Sequence, residues 1–335
     1  MLQMNPIRSE IDLDADGLHS GYLRLPHSVH RSAYGWIPIP IASVRNGEGP
    51  AVLLMAGNHG DEYEGQILVS QLMREIEPQW IRGQIIFLPM ANFPAAEAGL
   101  RTSPLDGGNL NRSFPGDPTG TPTQVIADYI ENTLLARVQY LIDLHSGGSS
   151  LVYDGANMLA IEPRDAKEHD QLRALLAAFG LPRAFLHPPN PVHAATGALR
   201  QGAISILTEL GGGGTVQSAL LREARQGLLH WLGHVGVLHG PLVPERPPHE
   251  TRFMRVSGSR HYVYAYERGV FEPLVELGDT VEAGQSAARI HFPDTPLRGP
   301  VTMRFEGGGL VVCKRAQAAV QRGDCLFHLA EPDDI

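Results

Sequence analysis

AVLLMAGNHGDE, residues 51–62, carries the clearest structural signal of the chain. Its first seven residues form a continuous apolar run that ends at Gly57, and polar residues follow at once. A run of that length predicts a strand that is buried on both faces, as in the parallel part of an α/β sheet. The next segment, residues 65–76, has apolar residues at helical spacing, so we expect a helix there.

The same order of strand and helix continues on both sides of this stretch. Further strands are predicted at 21–26, 34–44, 84–92, 139–145 and 203–210, and further helices at 123–138, 164–179 and 216–238. This alternation predicts an α/β fold with a mixed, mostly parallel sheet flanked by helices. Residues 93–123 are irregular and rich in Gly, Pro and Asn, and a loop of that length inside a compact domain is usually functional.

The composition changes near residue 240. Residues 240–250 (GPLVPERPPHE) are typical of a Pro-rich linker, and short β-type runs with Gly-containing turns follow them. We therefore predict two domains, an α/β domain over 1–245 and a small all-β domain, sandwich-like or barrel-like, over 250–335. The second domain resembles lipoyl and biotinyl carriers, but Lys314, the single lysine after residue 250, lies in an apolar strand-like run. A structural role, packing on the first domain or narrowing a pocket entrance, is the simpler interpretation.

Composition and charge exclude several classes of protein. The 335 residues include 27 Lys and Arg against 36 Asp and Glu, a net charge of −9, which argues against nucleic-acid binding. No apolar run approaches the roughly 18 residues of a membrane span, and the N-terminal residues do not form a signal peptide. Cys313 and Cys325 are too few for a disulfide framework. These features predict a soluble cytoplasmic protein, and they leave open whether it forms a homo-oligomer.

Polar clusters follow three of the predicted strands. They are GNHGDEYEG at residues 57–65, DLHSGG at 143–148 and TELG at 208–211. Ligands of open α/β sheets bind outside the carboxyl ends of the strands, so we expect the three clusters to meet at one edge of the sheet.

These clusters contain the ligand types of a zinc site. His59 and Glu62 are three residues apart and can converge from one turn, and His145 arrives from another strand. Two imidazoles and one carboxylate make a three-ligand zinc site with an open fourth position. Glu64 is the rival ligand, although it is interpreted as a helix-start charge. Asp143 lies on the strand face of His145 and is either an acceptor that orients this imidazole or a structural carboxylate.

Four motifs occur in an order that resembles the succinylglutamate desuccinylase/aspartoacylase family of zinc carboxypeptidase-like hydrolases. They are GNHGDE (57–62), NLNRSFPG (109–116), DLH (143–145) and TE (208–209), and the resemblance spans residues 20–240. It implies a zinc-dependent amidohydrolase, with one Zn²⁺ per chain, that removes an acyl group from a small N-acyl amino acid. Within the family the likeness is greatest to the deacetylases of ectoine degradation, which implies an acetyl group and N-alpha-acetyl-L-2,4-diaminobutyrate as substrate.

The resemblance also implies roles for individual residues. His59, Glu62 and His145 match the zinc ligands, and Glu209 matches the general acid/base that works with metal-activated water. Asn111 and Arg112 match the pair that binds the substrate carboxylate, and Arg101 is the candidate that stabilises the oxyanion.

Other interpretations remain open at this point. The substrate could be another N-acyl amino acid, as in aspartoacylase or succinylglutamate desuccinylase, or the chain could be a metallocarboxypeptidase that cleaves short peptides. A non-catalytic ligand-binding module is disfavoured, because a sensor does not need Glu209 as a base. His230 and His234 have a zinc-binding spacing but no adjacent glutamate, so we interpret them as ordinary helix residues. His187 and His193 belong either to a solvated loop, the favoured interpretation, or to the substrate pocket.

Overall fold

The computed structural model describes residues 4–256 and 258–333. The strands, labelled in chain order, are β1 Arg8–Ser9, β2 Gly17–Pro26, β3 Trp36–Asn46, β4 Ala51–Ala56, β5 Gly83–Leu88, β6 Tyr140–His145, β7 Leu151–Ile161, β8 Arg183–His187, β9 Ile204–Gly212, β10 Arg252–Arg255, β11 Tyr262–Tyr264, β12 Gly269–Pro273, β13 Thr280–Val281, β14 Ser286–His291, β15 Val301–Arg304, β16 Gly309–Arg315, β17 Ala319–Val320 and β18 Cys325–Pro332. The α-helices are α1 Tyr63–Glu75, α2 Phe93–Ala98, α3 Pro122–Tyr129, α4 Ala166–Phe179, α5 Ala194–Arg200 and α6 Ser218–His234.

The main sheet is mixed. Its order begins β1-β2-β3-β5-β4-β6-β9-β7-β8-β10. Strands β5, β4, β6 and β9 pair in parallel at the centre, while β1 to β3 and β7 add antiparallel pairings on either side. The α/β prediction is therefore confirmed, but the expected predominance of parallel pairing is not: besides the centre, β8 pairs in parallel with β7 and β10, and antiparallel pairs occur throughout the sheet. Parallel neighbours need a crossover connection, whereas β2 and β3 are joined by the loop at 27–35 and pair antiparallel.

The central strands are apolar because helices cover both faces of the sheet. Every residue of β4 and β5 is buried. On one side the helices α1, α4 and α6 contribute Leu68, Leu176 and Leu228 to the larger core cluster. On the other side α3 and α5 contribute Val125 and Ala198 to a second cluster. This two-sided burial is the reason that the strands show apolar runs instead of alternation.

The long segment at 93–123 is not wholly irregular, in contrast to the sequence-based expectation. It begins with α2, which has Pro94 in its first turn and ends at Gly99 in the left-handed conformation, with φ of +62°. A 3₁₀ turn, Leu110–Arg112, follows later. Proline at the start and glycine at the end are signals of helix boundaries. They were not recognised here because the whole segment is rich in proline and glycine.

The chain after residue 250 forms strands in two groups. Strands β15, β14, β12 and β17 make a separate four-stranded sheet, while β10, β11, β13, β16 and β18 extend the main sheet. The extension is held by parallel pairing of β10 with β8 and antiparallel pairing of β16 with β7. A separate core cluster that includes Phe271, Ile290 and Phe327 fills the interior between the two sheets.

Within residues 4–256 and 258–333, no helix has both the length and the apolar character that a membrane crossing requires.

Candidate active site

Three central strands bring the polar clusters together at one edge of the main sheet. His59 and Glu62 lie in the turn between β4 and α1, and Glu62 is the residue that precedes the helix. His145 is the last residue of β6. Glu209 lies on β9 directly opposite His145, since the two are Cα partners in the parallel pairing of these strands. The structure therefore places these four residues where the strand order predicts.

Glu62 lies between the two imidazoles. Its Oε1 is 2.7 Å from Nδ1 of His59, and its Oε2 is 2.8 Å from Nδ1 of His145. All three side chains are buried, and one potential ligand atom from each lies within 4.8 Å of the others. Burial alone would raise the pKa of Glu62, but the His59 and His145 rings outweigh it and hold that pKa well below its ordinary value.

Both imidazoles are oriented by an oxygen on their far side. Nε2 of His145 lies 2.9 Å from Oδ2 of Asp143, and Nε2 of His59 lies 3.2 Å from Oδ1 of Asn109. These oxygens only accept hydrogen bonds, so each Nε2 carries a proton and donates it. In a neutral ring Nδ1 then has a lone pair, and this lone pair faces Glu62.

The Nδ1 atoms of the two imidazoles consequently face the two carboxylate oxygens of Glu62. Lone pairs of two nitrogens cannot lie 2.7 and 2.8 Å from carboxylate oxygens unless a cation, either a proton or a metal ion, lies between them. Asp143 and Glu62, which outweigh the opposing effect of burial, hold the pKa of His145 well above its ordinary value. The donor set, two imidazoles and one carboxylate, is one that zinc prefers, so these residues fit a zinc ion.

Asp143 and its neighbours form a network behind His145. Asp143 is completely buried and also accepts a hydrogen bond of 3.1 Å from the side-chain amide of Asn58. The side chain of Asp61 is not hydrogen-bonded to this network. Its Oδ2 accepts hydrogen bonds of 2.8 and 2.7 Å from the backbone N–H and the hydroxyl of Ser149, and Asp61 thereby holds the loop after β6. Glu64 is buried in the first turn of α1 and is not a member of the ligand cluster.

Glu209 is a half-buried residue beside the cluster, and its Oε2 atom is buried. Its Oε2 has no hydrogen-bond partner among the described residues. Burial, and next to it the charge of Glu62, raise the pKa of Glu209 well above its ordinary value. A carboxyl group whose pKa is raised in this way is suited to accept and return a proton near neutral pH.

The predicted substrate-binding residues line a cavity of about 680 Å³ together with the cluster. Oδ1 of Asn111 accepts a hydrogen bond of 3.0 Å from the backbone of Ala194, which leaves its NH₂ group to donate elsewhere. Arg112 is exposed, and one guanidinium nitrogen donates to the carbonyl of Asn111 at 2.8 Å. Arg101 is 45% exposed and places a guanidinium nitrogen 3.5 Å from Glu62.

The cavity also has walls that the sequence did not reveal. Tyr153 of β7 and Tyr262 of β11 both line it. The two tyrosines lie at the ends of a row of residues that are paired across the neighbouring strands β7, β16, β18 and β11. The pairs are Tyr153–Cys313, Cys313–His328 and His328–Tyr262. The Tyr262 ring stacks on His328 with a centroid distance of 4.4 Å. Only the strand register makes this row apparent, because its members are far apart in the sequence.

The remaining histidines divide into two groups. His187 and His193 line the cavity, in agreement with the less favoured of the two interpretations given above. His230 contacts the carbonyl of Ala178 at 2.6 Å and, like His234, lies on α6 outside the cavity. The glycines after Glu209 provide backbone space: a Cβ at Gly212, which has φ of +135°, would lie 2.3 Å from the carbonyl oxygen of Leu151.

Comparisons with known proteins agree with this geometry. A model of the succinylglutamate desuccinylase/aspartoacylase catalytic domain matches residues 48–235. The chain is 41% identical to the N-alpha-acetyl-L-2,4-diaminobutyric acid deacetylase of Halomonas elongata over 98% of its own length and 95% of the relative. The product-bound ectoine utilization protein EutE (DoeB) of Ruegeria pomeroyi has a TM-score of 0.91 at 36% identity, covering 98% of this chain and 100% of that one. A succinylglutamate desuccinylase/aspartoacylase from Rhodobacter sphaeroides gives the same TM-score, identity and coverage.

Proposed function

Because the chain belongs to the succinylglutamate desuccinylase/aspartoacylase family, as its motifs predicted, we propose that it hydrolyses N-alpha-acetyl-L-2,4-diaminobutyrate to acetate and L-2,4-diaminobutyrate. The observation that carries the proposal is the convergence of the Nδ1 atoms of His59 and His145 on the Glu62 carboxylate beside Glu209, in a chain that aligns over 98% of its length with a deacetylase of that substrate. We also assign the α/β part to the zinc carboxypeptidase-like folds, because its central parallel strands bring these site residues to one edge of the sheet.

His59, Glu62 and His145 would hold one zinc ion per chain. When bound there, zinc would polarise the substrate carbonyl as a Lewis acid and increase the acidity of water. Asp143 would keep the His145 ring oriented with Nδ1 toward the ion, which is the usual task of an acceptor behind a ligating histidine.

Glu209 moves the proton of the reaction. It accepts a proton from the water whose oxygen attacks the acetyl carbonyl, and it delivers this proton to the amide nitrogen as the C–N bond breaks. Arg101 donates hydrogen bonds to the oxygen on which negative charge develops. Arg112 and the side-chain NH₂ group of Asn111 bind the α-carboxylate, for which a planar guanidinium offers two parallel donors.

The size and walls of the cavity support a small substrate over a peptide. The cavity measures about 680 Å³, and Tyr262 from the chain after residue 250 forms part of its wall. Cys313 and Cys325 are both free thiols, which fits the reducing cytoplasm as the proposed location.

The test is a panel of N-acyl amino acids and short peptides, with release of the free amine measured before and after treatment with a chelator. We expect N-alpha-acetyl-L-2,4-diaminobutyrate to be hydrolysed with the highest kcat/KM, the chelator to abolish turnover, and added zinc to restore it. Full activity in a metal-free preparation would refute the metal-dependent mechanism. Preference for N-succinyl or N-acetyl acidic substrates, or for peptides, would refute the assigned substrate.

A further inference from the structure

The proposed substrate has three polar groups, and the residues above account for two of them. Arg112 and Asn111 bind the α-carboxylate, and Glu209 and Arg101 act on the acetamide. The third group is the ammonium at the end of the two-carbon side chain. Among the described residues that line the cavity, the acidic ones are Glu62 and Glu209, and both already have tasks in the reaction.

The last residue of β8 and the loop that leads to α5, together residues 187–193 with the sequence HPPNPVH and called the 187–193 loop below, form a wall of this cavity that is poor in hydrogen-bond donors. Its three prolines have no backbone N–H. Two of its remaining amides are used inside the loop: Val192 donates to the Asn190 side chain at 3.3 Å, and His193 donates to the Asn190 carbonyl at 3.0 Å. A surface of this kind offers acceptors, which suits a cation.

The two histidines of the loop provide acceptor nitrogens. Nε2 of His193 is buried and has no hydrogen-bond partner among the described residues. Nδ1 of His187 donates to the carbonyl of Pro188 at 2.9 Å, so in the neutral ring Nε2 has the lone pair. Burial, followed by the charge of Arg112, lowers the pKa of His193 to about 4, and its ring is therefore uncharged at neutral pH.

We propose that this loop binds the side-chain ammonium of the substrate, with Nε2 of His193 as the principal acceptor and Nε2 of His187 as the secondary one. The inference rests on the proposed function. It makes His193 a specificity-determining residue, which selects a short cationic side chain over a neutral side chain of the same size.

A neutral acceptor has an advantage over a carboxylate at this position. Arg112 is close enough to depress the pKa of His193 through its charge. A carboxylate there would pair with the Arg112 guanidinium and compete with the substrate carboxylate for it. An uncharged imidazole accepts a hydrogen bond from the ammonium and leaves Arg112 available.

The test compares two isosteric substrates, N-alpha-acetyl-L-2,4-diaminobutyrate and N-acetyl-L-norvaline, in which a methyl group replaces the ammonium. In His193→Phe we expect kcat/KM for the diaminobutyrate substrate to fall about ten- to a hundredfold, mainly through KM, because a hydrogen bond to a charged group is lost. Hydrolysis of the norvaline substrate should change by less than about threefold, which also shows that the variant is folded and active. His193→Gln retains an acceptor and should restore most of the preference.

His187→Phe provides a second variant in case His193→Phe does not fold, and we expect a smaller loss in the same direction. His30→Phe, on an exposed residue, is the matched control and should behave like the wild type. An equal loss for both substrates would overturn the inference, since His193 would then serve the carboxylate or the fold, and so would an unchanged ratio in both variants. Wild-type enzyme that hydrolyses both substrates equally refutes the ammonium site alone, whereas wild-type enzyme that hydrolyses neither refutes the proposed function as well.

Discussion

Replacing Glu209 with glutamine should have opposite effects on activity and on stability. The substitution keeps the shape of the side chain but removes its ability to exchange a proton. General acid/base catalysis contributes about 10²- to 10⁴-fold to a rate, so we expect kcat to fall by this factor, equivalent to roughly 3–5 kcal/mol in the activation free energy. Glu209 is not a member of the His59, Glu62 and His145 cluster, and the bound metal should therefore remain.

The stability of the metal-free protein should rise in the same variant. The buried Oε2 of Glu209 has no partner among the described residues, and glutamine at this position cannot ionise, so the variant avoids the cost of burying an unpaired charge. The pKa of Glu209 is raised from its ordinary value of 4.5, so the folded protein binds this proton more tightly than the unfolded chain. The wild type consequently loses stability as pH rises through the folded pKa, and the variant lacks this loss.

Two measurements check these expectations. Acetate release and metal content are measured on the holoenzyme, and urea unfolding of the metal-free wild type and variant is measured from about pH 5 to pH 8. Glu131→Gln is the matched control, since the Glu131 side chain is buried but is paired with Arg200 by two contacts of 2.7 Å, and its replacement should lower stability. The reasoning is refuted if Glu209→Gln retains more than about a tenth of kcat, or if its stability relative to the wild type falls as pH rises.

Three further substitutions test the surroundings of the cluster. Asp143→Asn removes the carboxylate behind His145 and should weaken zinc binding about 10- to 100-fold, as measured by competition with a chromogenic chelator; unchanged affinity would make Asp143 purely structural. Arg101→Ala should lower kcat about 10²- to 10³-fold at constant metal content, and a change in KM alone would assign Arg101 to substrate binding instead. Tyr262→Ala should widen the cavity and raise the ratio of activity on N-acetyl dipeptides to activity on the single amino acid, and an unaltered ratio would show that Tyr262 does not limit access.

The sequence predicted those parts of the fold in which the local pattern and the tertiary environment agree. Strand β4 is apolar throughout and is followed by a polar turn, and β6 is mainly apolar and is followed by polar residues, so both strands could be placed from the local sequence. Strand β7 was not predicted. Its first five residues, LVYDG, are only partly buried and include Asp154 and Gly155, residues that are depleted in strands. Its place in the sheet comes from pairing with distant strands on both sides, β9 and β16, and this pairing leaves no local signal.

The residues of the candidate site likewise fall into those that the sequence predicted and those that it could not predict. His59, Glu62, His145 and Glu209 follow from one rule, because the ends of neighbouring parallel strands meet at one edge of a sheet. Tyr262 could not be found by that rule, since it comes from a strand that reaches the cavity only through the register of β11, β18 and β16. The pocket-lining histidines were not favoured either, because a Pro-rich loop has the composition of a solvated surface.

The row of residues paired across strands, from Tyr153 to Tyr262, indicates that the chain after residue 250 positions part of the cavity wall. Strands β16 and β10 continue the main sheet by backbone hydrogen bonds to β7 and β8, so Tyr262 is held in the same sheet as Glu209. The stack of Tyr262 on His328 adds a side-chain contact at the cavity wall. Moving this wall as a gate would break the pairing of β16 with β7, which places Cys313 opposite Tyr153. We therefore expect this wall to select substrates as a fixed surface that does not open as a gate.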